Sequence, residues 1–349
     1  MSIHAFTSFS YSYLDRARVL ARTLRAQHPD WVIWAVVVDV CPEALPHDWT
    51  TEQFDRVLFP ADLIGEDAGA WLFGHNVVEA CTAVKGAAAR HILEQPGCEK
   101  LFYFDPDIAV FNPMDDVVDL LDTHDIVLTP HQTEPAPRDA RQNIMDNELS
   151  SLQHGAFNLG FIALANRAEG RRCAGWWDER LRDWCHDRKD IGVFVDQKWC
   201  DLIPCFFDGV KVLRDPGYNV ASWNLSHRRI EVTGAGQALV NGKLLRFFHF
   251  TKLGPLGDAM TQRYARDNIE VYEIWAWYKA QVEAASEVRI PDGYWHFKSF
   301  DDGTPIPDAA RRLYRERKDL RSAFPDPWNT TEGGLKAWLL SQTDLMAEA

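Results

Sequence analysis

The chain has 349 residues, 46% of them hydrophobic and 25% charged, with a formal net charge of −14 and a pI near 5.3. That length suits one large domain with an elaboration, or two domains, and it is ample for a sizeable core. The acidic balance argues against non-specific binding to nucleic acid, and no Lys/Arg block marks a patch for an anionic membrane.

An acidic protein acting on an anionic substrate needs a local positive device, such as a metal or a few lysines. Cysteine usage supports neither a disulfide framework nor a zinc site. The seven cysteines are odd in number and none forms a C-x-x-C pair. Cys81, Cys173, Cys185, Cys200 and Cys205 sit among apolar or aromatic neighbours and read as small core residues in a reducing compartment. The N-terminal run carries no basic region followed by a long apolar one, and no stretch approaches a membrane span. The expected location is therefore cytoplasmic, with peripheral contact at the inner face of the membrane left open. Fourteen tryptophans suit a core, and also carbohydrate stacking or a lipid interface.

In chain order, residues 3–9 read as a strand ending in a Ser/Tyr-rich turn. A helix follows through Leu14, Ala17, Val19, Leu20 and Leu24, closing near His28-Pro29. Trp31 to Val38 is an apolar, β-branched run that ends at Asp39 and reads as a buried strand. Together these form a βαβ unit, which predicts a parallel pair with a right-handed crossover. Cys41 to Pro46 is a loop, and Asp55 to Phe59 a short third strand. The Ala-rich run Val77 to Leu93 predicts a helix, broken by Gln95-Pro96-Gly97. The strand 101–104 then ends at Asp105-Pro106-Asp107. Ligands in open α/β sheets bind beyond the carboxyl ends of the strands, which puts Asp39, Asp105 and Asp107 on the expected side.

Further on, Val117 to Leu121 reads as a short helix and Asp125 to Thr129 as a strand. Residues 131–147 are polar and Pro-interrupted, and read as a mobile loop and a candidate lid. Phe157 to Leu164 is an apolar run. Glu169 to Asp187 is an amphipathic helix, and the element starting at Phe194 reads as helical through Leu202. Val210 to Leu213 and Leu244 to Phe250 read as strands, with a Gly-marked hairpin between Ile230 and Leu245. After Gly254 the character changes. Ala259 to Ala285 reads as one long helix, followed by a basic helix around Arg311–Arg321 and a Leu-rich segment over 335–345.

Two carboxylates at the end of a buried strand repel each other and resist desolvation. A divalent cation relieves that cost, because both are hard oxygen ligands. The alternative is a solvated Asp-Pro-Asp turn. Phe104-Asp105-Pro106-Asp107-Ile108 resembles the D-x-D motif of the GT-A-fold glycosyltransferases, in particular the glycogenin and lipopolysaccharide galactosyltransferase group. Three later segments follow in that group's order. Phe157-Asn158-Leu159-Gly160-Phe161 resembles its Phe-Asn-x-Gly segment, Asp196-Gln197 its Asp-Gln pair, and Phe247-Phe248-His249-Phe250 the neighbourhood of its third metal ligand. The group continues His-x-x-Gly-x-x-Lys-Pro-Trp, whereas this chain reads His249-Phe250-Thr251-Lys252-Leu253-Gly254-Pro255.

The resemblance implies a GT-A-like α/β fold, a mostly parallel sheet flanked by helices. It spans residues 1–255, with 256–349 as a helical C-terminal extension. It implies Mn²⁺ or Mg²⁺ held by Asp105, Asp107 and His249, and a nucleoside diphosphate sugar as donor, expected to be a UDP-sugar. Asp196, Gln197 and Asn158 then face the reacting sugar. Thr7, Ser8, Tyr13 and Asp39 contact the nucleoside, and Lys85 and Lys252 the phosphates. The implied acceptor is a glycan or glycolipid and the implied outcome retention. Trp223 reads either as an acceptor-stacking ring or as a hydrophobic plug. Alternatives are a sugar-phosphate nucleotidyltransferase, which would want a Gly-rich loop that residues 7–14 lack, and a non-catalytic carbohydrate-binding protein.

Overall fold

A computed structural model describes residues 2–43, 47–286, 290–291, 293–331 and 333–342. Its centre is a seven-stranded mixed sheet. The strands are β1 (Ser2–Phe9), β2 (Val32–Val37), β3 (Arg56–Leu58), β4 (Cys98–Phe104), the short β5 (Ile108–Val110) outside this sheet, β6 (Ile126–Pro130) and β7 (Phe157–Ala165). The order across the sheet is Val210–Val212, β6, β7, β4, β1, β2, β3. β7 runs antiparallel to β4 and β6, and the remaining pairs are parallel. The expected α/β architecture is present.

Period-two alternation assigns the two faces. Phe6, Trp34, Val36, Leu101, Tyr103 and Ile162 pack on one side against the helices Val77–Leu93 and Ala168–Trp184. Ala5, Ile33, Phe102, Phe104 and Phe161 pack on the other against Leu14–Gln27 and Asp115–Thr123. The helix Val77–Leu93 starts at a capping box. Asn76 accepts from the Glu79 amide at 2.9 Å, and Glu79 reaches back to the Asn76 amide.

A second, three-stranded sheet positions the site. In it Phe247–His249 lies between Val220–Ala221 and β5, with His249 opposite Ile108. The Phe250 amide donates to the Asp107 carbonyl at 2.8 Å. Backbone pairing thus carries a histidine from far downstream to the residue after the Asp-Pro-Asp turn.

Several elements differ from expectation. The long helix is two, Pro255–Ala265 and Ile269–Ala285. Arg266 takes φ +51° at the break, and the Asn268 side chain pairs with both backbone groups of Ile230 at 2.8 Å, tying the joint to the hairpin. The supposed loop 131–147 is helical from Arg141, passing through a π turn at Ile144–Leu149 into Ser150–His154. Its two prolines precede that stretch, so only its first half is barred from helix. The element starting at Phe194 is helical only from Lys198, as a 3-10 helix over Lys198–Leu202 that runs on into a short α-helix, Ile203–Phe206. The basic helix is also two, Asp308–Glu316 and Lys318–Ala323. The Leu-rich segment is helical over Leu335–Ser341, and residues 343–345 of it lie outside the described residues, as do 44–46 of the predicted loop. Cys205 is exposed rather than buried in the core.

The residues beyond 255 share buried clusters with those before it. Val271, Trp275 and Tyr278 pack with Val19, Phe248 and Phe250, and Trp295 joins the cluster under the sheet. Arg311 and Arg315 turn inward. Arg311 donates to the carbonyls of Phe73 and His75, and Arg315 bonds the Cys185 carbonyl and pairs with Glu79 at 3.2 Å.

Candidate active site

The carboxyl ends of β1 and β4 open onto a cleft in two halves that share Lys85, Asp105 and Asp107. One half, of about 600 Å³, is walled by Ser8, Tyr13, Arg16 and Tyr294. The other, of about 470 Å³, is walled by His131, Asn158, Asp196, Gln197, Trp223 and His249.

Where the halves meet, Asp105, Asp107 and His249 bring one ligand atom each to within 4.8 Å of one another. His249 Nε2 lies 3.0 Å from Asp107 and 3.8 Å from Asp105. Burial works to lower the His249 pKa, but the two carboxylates outweigh it and raise it. Burial works to raise Asp107, and the His249 charge beside it wins, holding it low. On its other ring nitrogen, His249 Nδ1 donates to Asn158 Oδ1 at 3.2 Å. Held charged by the carboxylates, the ring also carries a proton on Nε2, facing Asp107. A cation bound there would displace that proton, and the Nδ1–Asn158 bond would keep the ring turned with its Nε2 lone pair toward the metal. Two carboxylate oxygens and one imidazole nitrogen at this spacing fit a divalent cation.

The supporting groups leave Asn158 no free amide. Its Nδ2 contacts Gln197 Oε1 at 3.3 Å and His131 Nε2 at 3.2 Å, and its Oδ1 also accepts from the Gly160 amide. Gln197 is likewise engaged. Its Oε1 accepts from the Leu159 amide at 3.1 Å, and its Nε2 donates to the His154 carbonyl at 3.1 Å. Gly160 makes room for the histidine, since a Cβ there would lie 2.5 Å from His249 Cε1.

Lys85, buried, bridges the two halves. Its Nζ sits 3.1 Å from Asp105 and 2.8 Å from Asp196, donates to the Leu159 carbonyl, and lies 4.3 Å above the Tyr103 ring. Burial opposes its charge, but Asp105 and Asp196 together hold its pKa well above the usual lysine value. Burial pushes Asp196 up to about 6 despite the lysine. At neutral pH both are charged. Val195, just before Asp196, has φ +37°, an unusual conformation for a β-branched residue, and its amide is held by the His186 carbonyl at 2.7 Å.

The other candidate residues scatter. Ser8 lines the cleft and donates to the Cys81 carbonyl at 2.7 Å. Tyr13 lies on the same wall with the Arg16 guanidinium 4.0 Å above its ring. Thr7 is buried within the sheet and does not line the cleft. Asp39 is buried, its carboxylate taken by the amides of Tyr11, Val40 and His296. Burial raises it to about 6, against the pull of those three N–H groups. Lys252 is exposed on the rim. Trp223 lies edge-on to His249, with ring centroids 5.3 Å apart.

Sequence reasoning passed over four residues. Tyr103 donates to Asp105 at 2.6 Å, and its place two residues earlier on the strand was the available signal. His131 follows the carboxyl end of β6, the same kind of position as Asp105. Arg16 and Tyr294 carried no signal, being brought to the cleft by a helix turn and by a segment far away in sequence.

No family model matches the chain. A curated relative, the uncharacterized protein YfnD of Bacillus subtilis (strain 168), is 25% identical over 176 residues, 50% of this chain and 53% of that one. The chain thus matches about half the length of that relative. Among solved structures, it is similar to the galactosyltransferase LgtC in complex with donor and acceptor sugar analogues, at TM-score 0.48 and 16% identity over 82% of this chain and 98% of that one. It is also similar to mouse xyloside xylosyltransferase 1, at 0.42 and 15% over 73% and 99%. A third is the glycosyltransferase GlyE of Streptococcus pneumoniae, at 0.41 and 14% over 83% and 66%. These neighbours are glycosyltransferases. Likeness at such scores transfers no chemistry to this chain.

Proposed function

We propose that this protein is a metal-dependent glycosyltransferase that moves a sugar from a nucleoside diphosphate sugar, a UDP-sugar by sequence resemblance, to a glycan or glycolipid. The observation that carries this reading is the junction of the two cleft halves, where Asp105, Asp107 and His249 converge beside the ionised Lys85–Asp196 pair. When bound there, a divalent cation supplies Lewis-acid charge neutralisation for the leaving diphosphate.

The chain's own residues do the rest. Lys85 adds a fixed positive charge next to Asp105, and its burial makes that charge count for more than it would in water. Asp196 presents a carboxylate to the half of the cleft that would hold the sugar, where it stabilises an oxocarbenium-like centre. Gln197 and Asn158 act as positioning residues, fixing the tautomer of His249. A retaining outcome is the one the sequence resemblance implies.

The sugar half is lined by Asp146, Ser150 and His154 from the helical stretch after Arg141. On that same stretch Met145, Leu149 and Leu152 are exposed, which suits a glycolipid acceptor arriving from the inner face of a membrane. Among the described residues no helix is long and apolar enough to cross a membrane.

The test is hydrolysis of a UDP-sugar panel with Mn²⁺, with EDTA, and in Asp107→Ala. Turnover should vanish with chelation, return with Mn²⁺, and fall by about a hundredfold or more in the variant. Turnover indifferent to EDTA, or a fully active variant, would sink the metal-diphosphate reading.

A further inference from the structure

The half of the cleft away from Asp196 contains a wall from the C-terminal part of the chain. Tyr294 lines it together with Tyr13 and Arg16. The segment carrying Tyr294 is pinned at four points. The Tyr294 hydroxyl donates to the Val40 carbonyl at 2.9 Å, and the His296 amide donates to Asp39 Oδ1 at 2.9 Å. Trp295 is buried in the cluster under the sheet, and Arg311 donates to the Phe297 carbonyl at 2.6 Å. Asp39 also accepts from the Val40 and Tyr11 amides, at 2.9 and 3.3 Å. A carboxylate holding three backbone N–H groups has little capacity left for a ribose or a base. Its work is to hold the segment.

The two halves of the cleft share Lys85, Asp105 and Asp107. A diphosphate gripped at that junction must send its sugar into one half and its nucleoside into the other. The half with Asp196 and Trp223 has polar groups for a sugar, a carboxylate and an indole N–H that has no protein partner. The half with Tyr13 and Tyr294 offers flat ring surface, which suits a nucleobase.

We propose that Tyr294 is a donor-binding residue that packs against the nucleoside, and that Asp39 is its positioning residue. The C-terminal part of the chain then completes the donor site rather than serving the acceptor alone. This rests on the donor reading above, and the experiment separates the two.

Binding of UDP, GDP, ADP and CDP, and of pyrophosphate, is measured by calorimetry with Mn²⁺ in wild type, Tyr294→Ala, Tyr294→Phe, Asp39→Ala and Asp107→Ala. At least one nucleotide should bind wild type. Tyr294→Ala should weaken it by about tenfold, the worth of one base–ring stack, and leave pyrophosphate binding unchanged. Tyr294→Phe should retain most of the affinity, because the ring carries the contact. Asp39→Ala should weaken the nucleotide and spare pyrophosphate, whereas Asp107→Ala should weaken both. If a nucleotide binds wild type and Tyr294→Ala equally, the inference is overturned and the donor reading stands. If Tyr294→Ala loses pyrophosphate as well, its role is structural and the inference is again overturned. If no nucleotide binds wild type, both fall.

Discussion

Lys85 is the residue with the most at stake. Its ammonium is buried between Asp105 and Asp196, so its removal strands buried negative charge. Lys85→Met is expected to cost about 3–5 kcal/mol in urea unfolding. Adding Asp196→Asn should recover much of that stability without recovering activity. A double variant no more stable than Lys85→Met would contradict the pairing. His28 gives a separate, pH-dependent signature. It is buried, stacked on Trp31, and accepts from the Met114 amide through Nε2 at 3.0 Å. Burial lowers its pKa to about 4. Below about pH 6.5 the unfolded chain takes up a proton that the folded chain refuses. Stability should therefore be full above 6.5 and fall by up to about 3 kcal/mol as the pH drops to about 4. The buried His186 and the half-buried His131 and His227, also lowered to about 4, act with the same sign. Urea unfolding at pH 7.5 and 5.0 checks this. The pH-dependent loss should shrink in His28→Gln, and an unchanged loss would exclude His28 as a source.

The helices Val77–Leu93 and Ala168–Trp184 meet at one point of closest approach. A Cβ on Gly86 would lie 2.4 Å from the Asp178 amide nitrogen and 2.8 Å from the Trp177 carbonyl carbon. These are backbone atoms, and they cannot swing aside. Gly86→Ala would normally favour a helix, by up to about 1 kcal/mol. Here it should destabilise by about 3 kcal/mol, because the helices must separate. Equilibrium unfolding reads the sign directly, and stabilisation would mean that the contact is looser than described. Since the same helix carries Lys85, the variant should also lose activity.

Taken whole, the molecule does not divide cleanly after residue 255. The first helix beyond it is tied to the stretch after Arg141 by Tyr264, which donates to Asp146 at 2.8 Å, and by the Arg263–Asp146 ion pair. The next packs on Phe248 and Phe250, beside His249. Deleting residues 260–349 should therefore give a chain that fails to fold cooperatively, seen as insoluble expression or loss of near-UV dichroism. A soluble 1–259 fragment that still hydrolyses donor would show the C-terminal part to be a separable extension.

How much of this was legible beforehand depends on whether a feature is local. The strands β1, β2, β4 and β7, the helix Val77–Leu93 and the Asp-Pro-Asp turn are readable because hydrophobic period, capping residues and turn chemistry act over a few neighbours. The break at Arg266–Asn268 was not, because its cause is a pair of hydrogen bonds to Ile230, on a distant hairpin. The same distinction runs through the site. The order and chemical type of Asp105, Asp107, Asn158, Asp196 and His249 were present in the chain as written. What the fold adds is the sheet pairing that seats His249 beside Asp107, the hydrogen bonds that take up the Asn158 amide and engage Gln197, and the three N–H groups that occupy Asp39. A residue's type determines what it can donate or accept. Which of those capacities remain free for a ligand is settled only when the fold has chosen its partners.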